Sequence, residues 1–181
     1  DLHTWLRRQR QMCIRDSSGD CQLTFAYAEE QSRFDIEDVL TRAKPDEEGG
    51  FIIDGTKSMV LHAASADAMI VSCRTSGGQY ENKGISLFLV PKDLKGIHID
   101  SFETVDGQRA AEVRFESVRV DGNTLLGKEA DAFSTIKRAQ QSGILALCAE
   151  ATGIMESLYK DTAAYTQAVS YTHLTLPTKP S

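Results

Sequence analysis

The chain has 181 residues, with 20 basic and 26 acidic side chains for a net charge of −6, and 41% of it is hydrophobic. That size suits one domain or one domain with an appendage, with enough apolar material for a core. No apolar run approaches the ~20 residues that span a bilayer, and Cys13, Cys21, Cys73 and Cys148 lack CxxC spacing, so no membrane span, metal site or disulfide framework is expected. A reducing cytoplasm fits this cysteine usage.

Taken in chain order, the first feature is Arg7–Ser17, RRQRQMCIRDS, which has a counterpart at Ala168–Thr178, AVSYTHLTLPT. One DNA segment can encode both: codons for Val169–Thr178 can be chosen so that the opposite strand reads Arg7–Asp16. The segment resembles a transposase-type sequencing adapter. Residues 1–17 and 168–181 are therefore expected to be adapter-derived, and deleting both should leave the stability of the remainder nearly unchanged in a thermal melt. Without them 15 basic residues face 24 acidic ones, a net charge of −9. The basic arm that on its own would suggest nucleic acid then disappears, and a polyanion partner is not expected.

From Cys21 to about Val120 the pattern is that of strands. Asp54-Gly55 lies between apolar segments and reads as a turn. Ala68–Arg74 and Gly84–Val90 are apolar runs joined by the polar loop SGGQYENK. Asp106-Gly107 and Asp121-Gly122 are further turns. Val113, Phe115, Val118 and Val120 alternate with charged residues, and the slip at Glu116-Ser117 predicts a bulge. Short strands at this spacing predict a small barrel or sandwich.

After Gly127 the texture becomes helical. Phe133, Ile136, Gln140, Ile144, Leu147, Ala151, Ile154 and Leu158 follow a helical period across residues 131–166. One rod of this length is too long for a small compact domain, so its apolar stripe calls for helix partners. Without them the stripe should be exposed and the chain should associate. Gly143 and Gly153 point to close helix neighbours. The fold class is thus α+β: a β-barrel or sandwich domain followed by one long helix of an incomplete helical bundle.

Four stretches in this order resemble the acyl-CoA dehydrogenase family. FAYAEEQSRFD (Phe25–Asp35) stands where that family carries T-E-P-x-x-G-S-D. FIIDGTKSMVLHA (Phe51–Ala63) is similar to y-x-I-N-G-x-K-x-W-I-T-N-G. GISLFLVPKDLKGI (Gly84–Ile97) is similar to G-I-S-x-F-x-V-x-x-x-x-x-G, and FESVRVDGNTLLG (Phe115–Gly127) to F-x-x-V-x-V-P-x-x-N-x-L-G. In wording the chain most resembles the pimeloyl-CoA dehydrogenase small-subunit branch. The resemblance implies a middle β-domain over residues 18–127 and the first helix of a C-terminal domain over 128–167.

It further implies an FAD-dependent oxidoreductase of fatty acid metabolism that desaturates an acyl-CoA thioester, with electron-transfer flavoprotein as acceptor and a homo- or hetero-oligomeric parent. FAD is expected against Phe25, Tyr27 and Ala28 in one segment and Met59 and Leu61 in another. Met59 stands where the family usually has Trp, and Ala28 and Leu61 offer no hydroxyl, so flavin hydrogen bonds must come from the main chain. Phe34, Gln141 and Ile144 stand at positions that contact substrate or CoA in the family. The family's catalytic carboxylate lies beyond Gln167, so no catalytic residue is assigned, and the piece alone is expected to be inactive.

Two alternatives stay open: a non-catalytic subunit beside an active paralogue, and a β-domain binding module without redox chemistry. Read singly, Phe25, Tyr27, Met59 and Leu61 could equally be core. Glu29-Glu30 and Glu47-Glu48 read as solvated charge, His62 and His98 as loop or surface residues, and Cys73 as a buried hydrophobe.

Overall fold

The computed structural model of the chain describes residues 21–169 except Phe34. Arg7–Ser17 and residues 170–181 lie outside the described residues, and so does Phe34. Among the described residues eight strands form: β1 (Leu23–Ala26), β2 (Arg42–Pro45), β3 (Phe51–Leu61), β4 (Ala68–Arg74), β5 (Ile85–Pro91), β6 (Ile97–Glu103), β7 (Arg109–Val120) and β8 (Leu125–Leu126). They make one sheet in the order β6-β7-β3-β2-β4-β5-β8, with β1 parallel to β4. The apolar runs read from the sequence are β4 and β5, which pair antiparallel from Ala68↔Pro91 to Arg74↔Ile85.

The sheet folds over its own core. Phe51 on β3 and Phe88 on β5 are not on neighbouring strands, yet their rings meet edge-on with centroids 4.9 Å apart. Around them pack Ile53, Val60, Met69, Val71, Val113 and Phe115, all buried. Each such side chain contributes roughly 1.5–3 kcal/mol through burial. A smaller cluster of Val39, Ile85, Leu87, Ala132 and Ile136 covers the other face of β5. With both faces covered, β5 reads as a nearly unbroken apolar run instead of an alternating one.

The alternation at Val113, Phe115, Val118 and Val120 is inward-facing, and all four are buried. The predicted bulge at Glu116-Ser117 is present: the β3–β7 register steps from Ile53↔Val118 to Gly55↔Phe115, with the extra residue on β7. Ser117 takes φ 49° there. Its N–H and hydroxyl both donate to Asp54 Oδ1, at 2.7 and 3.3 Å. Asp54-Gly55 is therefore not a turn, as its dipeptide suggested, because β3 runs straight through it. Gly55 has φ 147°, and a Cβ there would lie 2.6 Å from the Thr41 Cα, so a close crossing of chain segments needs the glycine. Asp106-Gly107 does form the β6–β7 hairpin turn, and Asp121-Gly122 opens a 3-10 turn over Gly122–Thr124.

Arg74, at the end of β4, is buried, and its guanidinium donates to the carbonyls of Glu37, Gln79, Glu81 and Lys83 at 2.7–2.9 Å. It thereby ties the segment before β2 and the β4–β5 loop to one strand end. Burial pushes its pKa down, while Glu81, Glu29 and Asp38 oppose that shift.

One long helix, α1 (Phe133–Val169), follows the sheet, longer at its C-terminal end than its periodicity suggested. The first compact unit runs through Ile136, and the second begins at Lys137. Ile136 is buried and Phe133 half-buried in the cluster that covers β5, so these two do not belong to an exposed stripe. The correction has a simple cause, since the first turn of α1 caps the sheet. Farther along, Leu147, Ile154 and Leu158 are exposed as expected. A Cβ added at Gly143 or Gly153 would meet nothing within 4 Å, so neither glycine is in close packing here. Light scattering at rising concentration should therefore show self-association, and a monodisperse monomer at millimolar concentration would contradict it.

Candidate functional site

The site begins with an irregularity in β3. Between Lys57↔Val113 and Val60↔Ala111 the ladder slips by one residue, and the extra residue falls at Ser58-Met59. Met59 is forced to φ 53°, an uncommon conformation for a residue without glycine's freedom. A bulge bends the strand and re-aims a side chain. Met59 is accordingly 53% exposed in the middle of a strand whose neighbours Lys57 and Val60 are buried.

That exposed Met59 borders a cleft of about 780 Å³ between the ends of β1 and β3. Phe25, Tyr27, Ala28, Met59 and Leu61 all line it, so the five positions expected to face a cofactor converge on one concavity. The Phe25 and Tyr27 rings lie 4.9 Å apart at 32°. Arg33, Glu30 and His62 also line the cleft. His62 is exposed, as expected, but it borders this cleft instead of standing apart from any site. A second hollow of about 470 Å³ lies beside the β6–β7 turn and shares Met59 and Leu61, which form the ridge between the two. Gln141 and Ile144 are exposed on α1 in the second unit.

The two cleft segments are stitched together by polar contacts. The Ser58 N–H donates to the Ala28 carbonyl at 2.9 Å, and the Thr24 hydroxyl donates to the Leu61 carbonyl at 2.5 Å. Beneath them lies an ion pair that reading the sequence missed. Glu29 is not solvated charge: its carboxylate meets the Lys57 ammonium at 2.7 Å, and the two side chains are 2% and 0% exposed. Glu29 also accepts the main-chain N–H groups of Leu40 and Thr41, at 2.8 and 3.0 Å, and the Gln31 amide at 2.8 Å. Lys57 reaches the Ser72 hydroxyl at 3.0 Å and the Tyr27 carbonyl at 3.4 Å. The signal for a buried lysine was available, though not the identity of its partner. Lys57 continues the inward set Phe51, Ile53 and Gly55 at period 2, and a lysine on a buried face requires a counter-charge.

Burial by itself would raise the Glu29 pKa, but the Lys57 charge and hydrogen bonds from Lys57, Gln31 and Thr41 outweigh it and hold the carboxyl below its ordinary 4.5. A carboxyl with a folded value below its unfolded one contributes stability that is complete above the unfolded value and disappears as pH falls through the folded value. Denaturation midpoints followed from pH 6 to pH 2 should therefore fall below about pH 4.5. The Glu29→Gln variant should lack this component of the slope, and equal slopes in both proteins would contradict the assignment. Cys73, fully buried near the same network, has its thiol pushed up to about 12 by burial, which suits its reading as a buried hydrophobe. His98 lies on β6 with its ring exposed and 3.5 Å from Glu116, and Glu47 and Glu48 are exposed, as expected. Among the described residues no group of three potential metal ligands forms, and no helix is long and apolar enough to cross a membrane.

Comparison with known proteins bears on what this arrangement serves. The family model "Acyl-CoA dehydrogenase, middle domain" matches residues 24–118, just over half of the chain. The chain is 31% identical over 155 residues to the mitochondrial short-chain specific acyl-CoA dehydrogenase of Sus scrofa, covering 83% of this chain and 37% of the relative. It is 30% identical over 158 residues to an acyl-CoA dehydrogenase of Bacillus subtilis, covering 86% and 40%. Among solved structures, the "Tcur3481-Tcur3483 steroid ACAD" superposes with a TM-score of 0.77 at 27% identity, covering 94% of this chain and 44% of that one. The acyl-CoA dehydrogenase of Geobacillus kaustophilus gives 0.67 at 25%, covering 73% and 36%. The chain thus spans roughly two fifths of the length of the curated relatives it matches. With the family's middle-domain pattern running through β1 to β7 and the cleft built from its segments, this chain belongs to the acyl-CoA dehydrogenase family.

Proposed function

We propose that this chain supplies the flavin-facing wall of an FAD-dependent acyl-CoA dehydrogenase, with residues 18–127 as the middle domain and 128–167 as the start of the helical domain. The observation that supports this most is the convergence of Phe25, Tyr27, Ala28, Met59 and Leu61 on one cleft. The cleft suits an isoalloxazine ring. Leu23, Phe25, Tyr27, Met59 and Leu61 give it an apolar, partly aromatic surface alongside Glu30, Arg33 and His62, and the bulge turns the polarizable Met59 side chain outward. When bound, FAD would supply the hydride acceptor for α,β-desaturation of an acyl-CoA thioester.

The chain's own residues would hold and orient the ring. Tyr27 and Met59 offer the contact surface for the ring. The main chain near Ala28 and Leu61 supplies hydrogen-bonding groups in place of the hydroxyls those side chains lack. The apolar side chains Tyr27, Met59 and Leu61, exposed in the free chain, would be covered by the ring and would shed water on its binding. The α-proton must leave to a carboxylate that the family resemblance puts beyond Gln167, so the chain by itself is inactive. Phe34, Gln141 and Ile144 are proposed to face substrate or CoA. An acyl-CoA substrate, electron-transfer flavoprotein as acceptor, an oligomeric parent and a cytoplasmic setting complete the proposal. A non-catalytic subunit is the second reading, favoured by the departures from the family pattern at Ala28, Phe34, Gln141 and Ile144.

Titrating FAD into the purified chain tests the cofactor. Binding should perturb the visible absorption bands of the flavin and quench its fluorescence, and an unperturbed spectrum at saturating protein would count against the cleft. A dye-reduction assay with acyl-CoA and the same sample should show no turnover, and turnover would contradict the placement of the base.

A further inference from the structure

We propose that the buried Glu29–Lys57 pair is a positioning pair for the cleft, locking the Tyr27–Glu29 segment onto the Ser58-Met59 bulge and so setting the wall that the ligand meets. The identity of that ligand rests on the FAD reading above; the lock itself does not. Lys57 immediately precedes the bulge, and its ammonium has three acceptors: Glu29 Oε1 at 2.7 Å, Ser72 Oγ at 3.0 Å and the Tyr27 carbonyl at 3.4 Å. Glu29 immediately follows Tyr27 and Ala28, which line the cleft, and its two oxygens hold the main chain at Leu40 and Thr41. The Ser58 N–H then closes the same junction from above through the Ala28 carbonyl.

The pair therefore joins the Tyr27 carbonyl, which borders the cleft, to the Ser72 hydroxyl on β4 and to the main chain at Leu40 and Thr41 just before β2. Well-packed hydrophobic side chains of similar volume would stabilise the core as well or better, because two charges must be stripped of water. What they could not supply is direction. Charge-assisted hydrogen bonds fix where Tyr27 and Met59 sit relative to one another. The pair also carries no net charge, so the floor beneath the ligand is electrically balanced while both partners are present.

The test compares wild type, Lys57→Met, Glu29→Gln and the double variant by hydrogen exchange in the ligand-free chain. The double variant leaves no unpaired buried charge and remains the readout if a single variant does not fold. In the double variant, whose global stability stays nearest to that of wild type, exchange should rise about tenfold or more in peptides covering residues 23–31 and 56–62 and far less in β5 and β6. A uniform rise across the sheet in the double variant would make the pair a general stabiliser and overturn the proposal. In FAD-loaded samples the two single variants should shift the flavin potential in opposite directions. Lys57→Met leaves a carboxylate under the cleft, and Glu29→Gln leaves an ammonium. Shifts of the same sign would mean that only structure was disturbed and would also overturn it. If wild type does not bind FAD but the exchange pattern stays local, the cofactor reading fails and the positioning pair stands.

Discussion

Lys57→Met should lower the unfolding free energy of the β-domain by about 3–5 kcal/mol, because it leaves the buried Glu29 carboxylate without its counter-charge. Glu29 is held among the Leu40 and Thr41 amides and the Gln31 side chain, so it cannot swing out to water without breaking those bonds. The loss should appear as a reduced midpoint in urea with little change of slope. Glu29→Gln should cost less, since its amide can still accept from Lys57. The double variant should recover most of the loss, because the uncompensated charge is gone. A loss under about 1 kcal/mol for Lys57→Met would mean that the pair is hydrated in solution.

The second large effect concerns the cofactor wall. In a full-length dehydrogenase carrying this segment, Met59→Asp should weaken FAD binding and lower the potential of the bound flavin. Met59 is already turned outward by the bulge, with half its surface free, so the substitution should not disturb the core. It places an anion beside a ring that becomes more negative on reduction, and desolvating that charge against the ring is unfavourable. Flavin content by absorbance and potential by dye equilibration measure both effects. Cys73→Ser is the contrast. It puts a hydroxyl into a fully buried apolar site on β4, so it should affect folding more than flavin. Equal occupancy and equal potential in wild type and Met59→Asp would remove Met59 from the cofactor wall.

Much of the fold was legible from local pattern, and the reasons are specific. β4 and β5 stand out because both their faces are covered, which leaves apolar runs bounded by a polar loop. The β7 alternation, its slip at Glu116-Ser117 and the Asp106-Gly107 turn are local events, since a period of 2 breaks visibly when one residue is added. The switch to α1 after Gly127 is equally local. The five cofactor positions came from the ordered family resemblance. Composition and spacing alone left Phe25 and Tyr27 as plausible core, and Phe25 does pack partly against the second cluster.

What the sequence by itself determined, then, was the alternation of strands, the turn and bulge positions with a local signature, and the long helix. Tertiary structure decided whatever depended on a residue far away in the chain. Asp54-Gly55 has the dipeptide of a turn, but β7 pairs along it and Thr41 packs on Gly55, so the strand continues. Phe133 and Ile136 carry the same helical period as Leu147 and Leu158, yet only the first two meet a sheet face. Glu29 is indistinguishable by local pattern from Glu30, and 28 positions separate it from Lys57. A charge becomes a buried partner only when folding brings its counter-charge within hydrogen-bond reach, and no period of 2 or 3.6 encodes that distance.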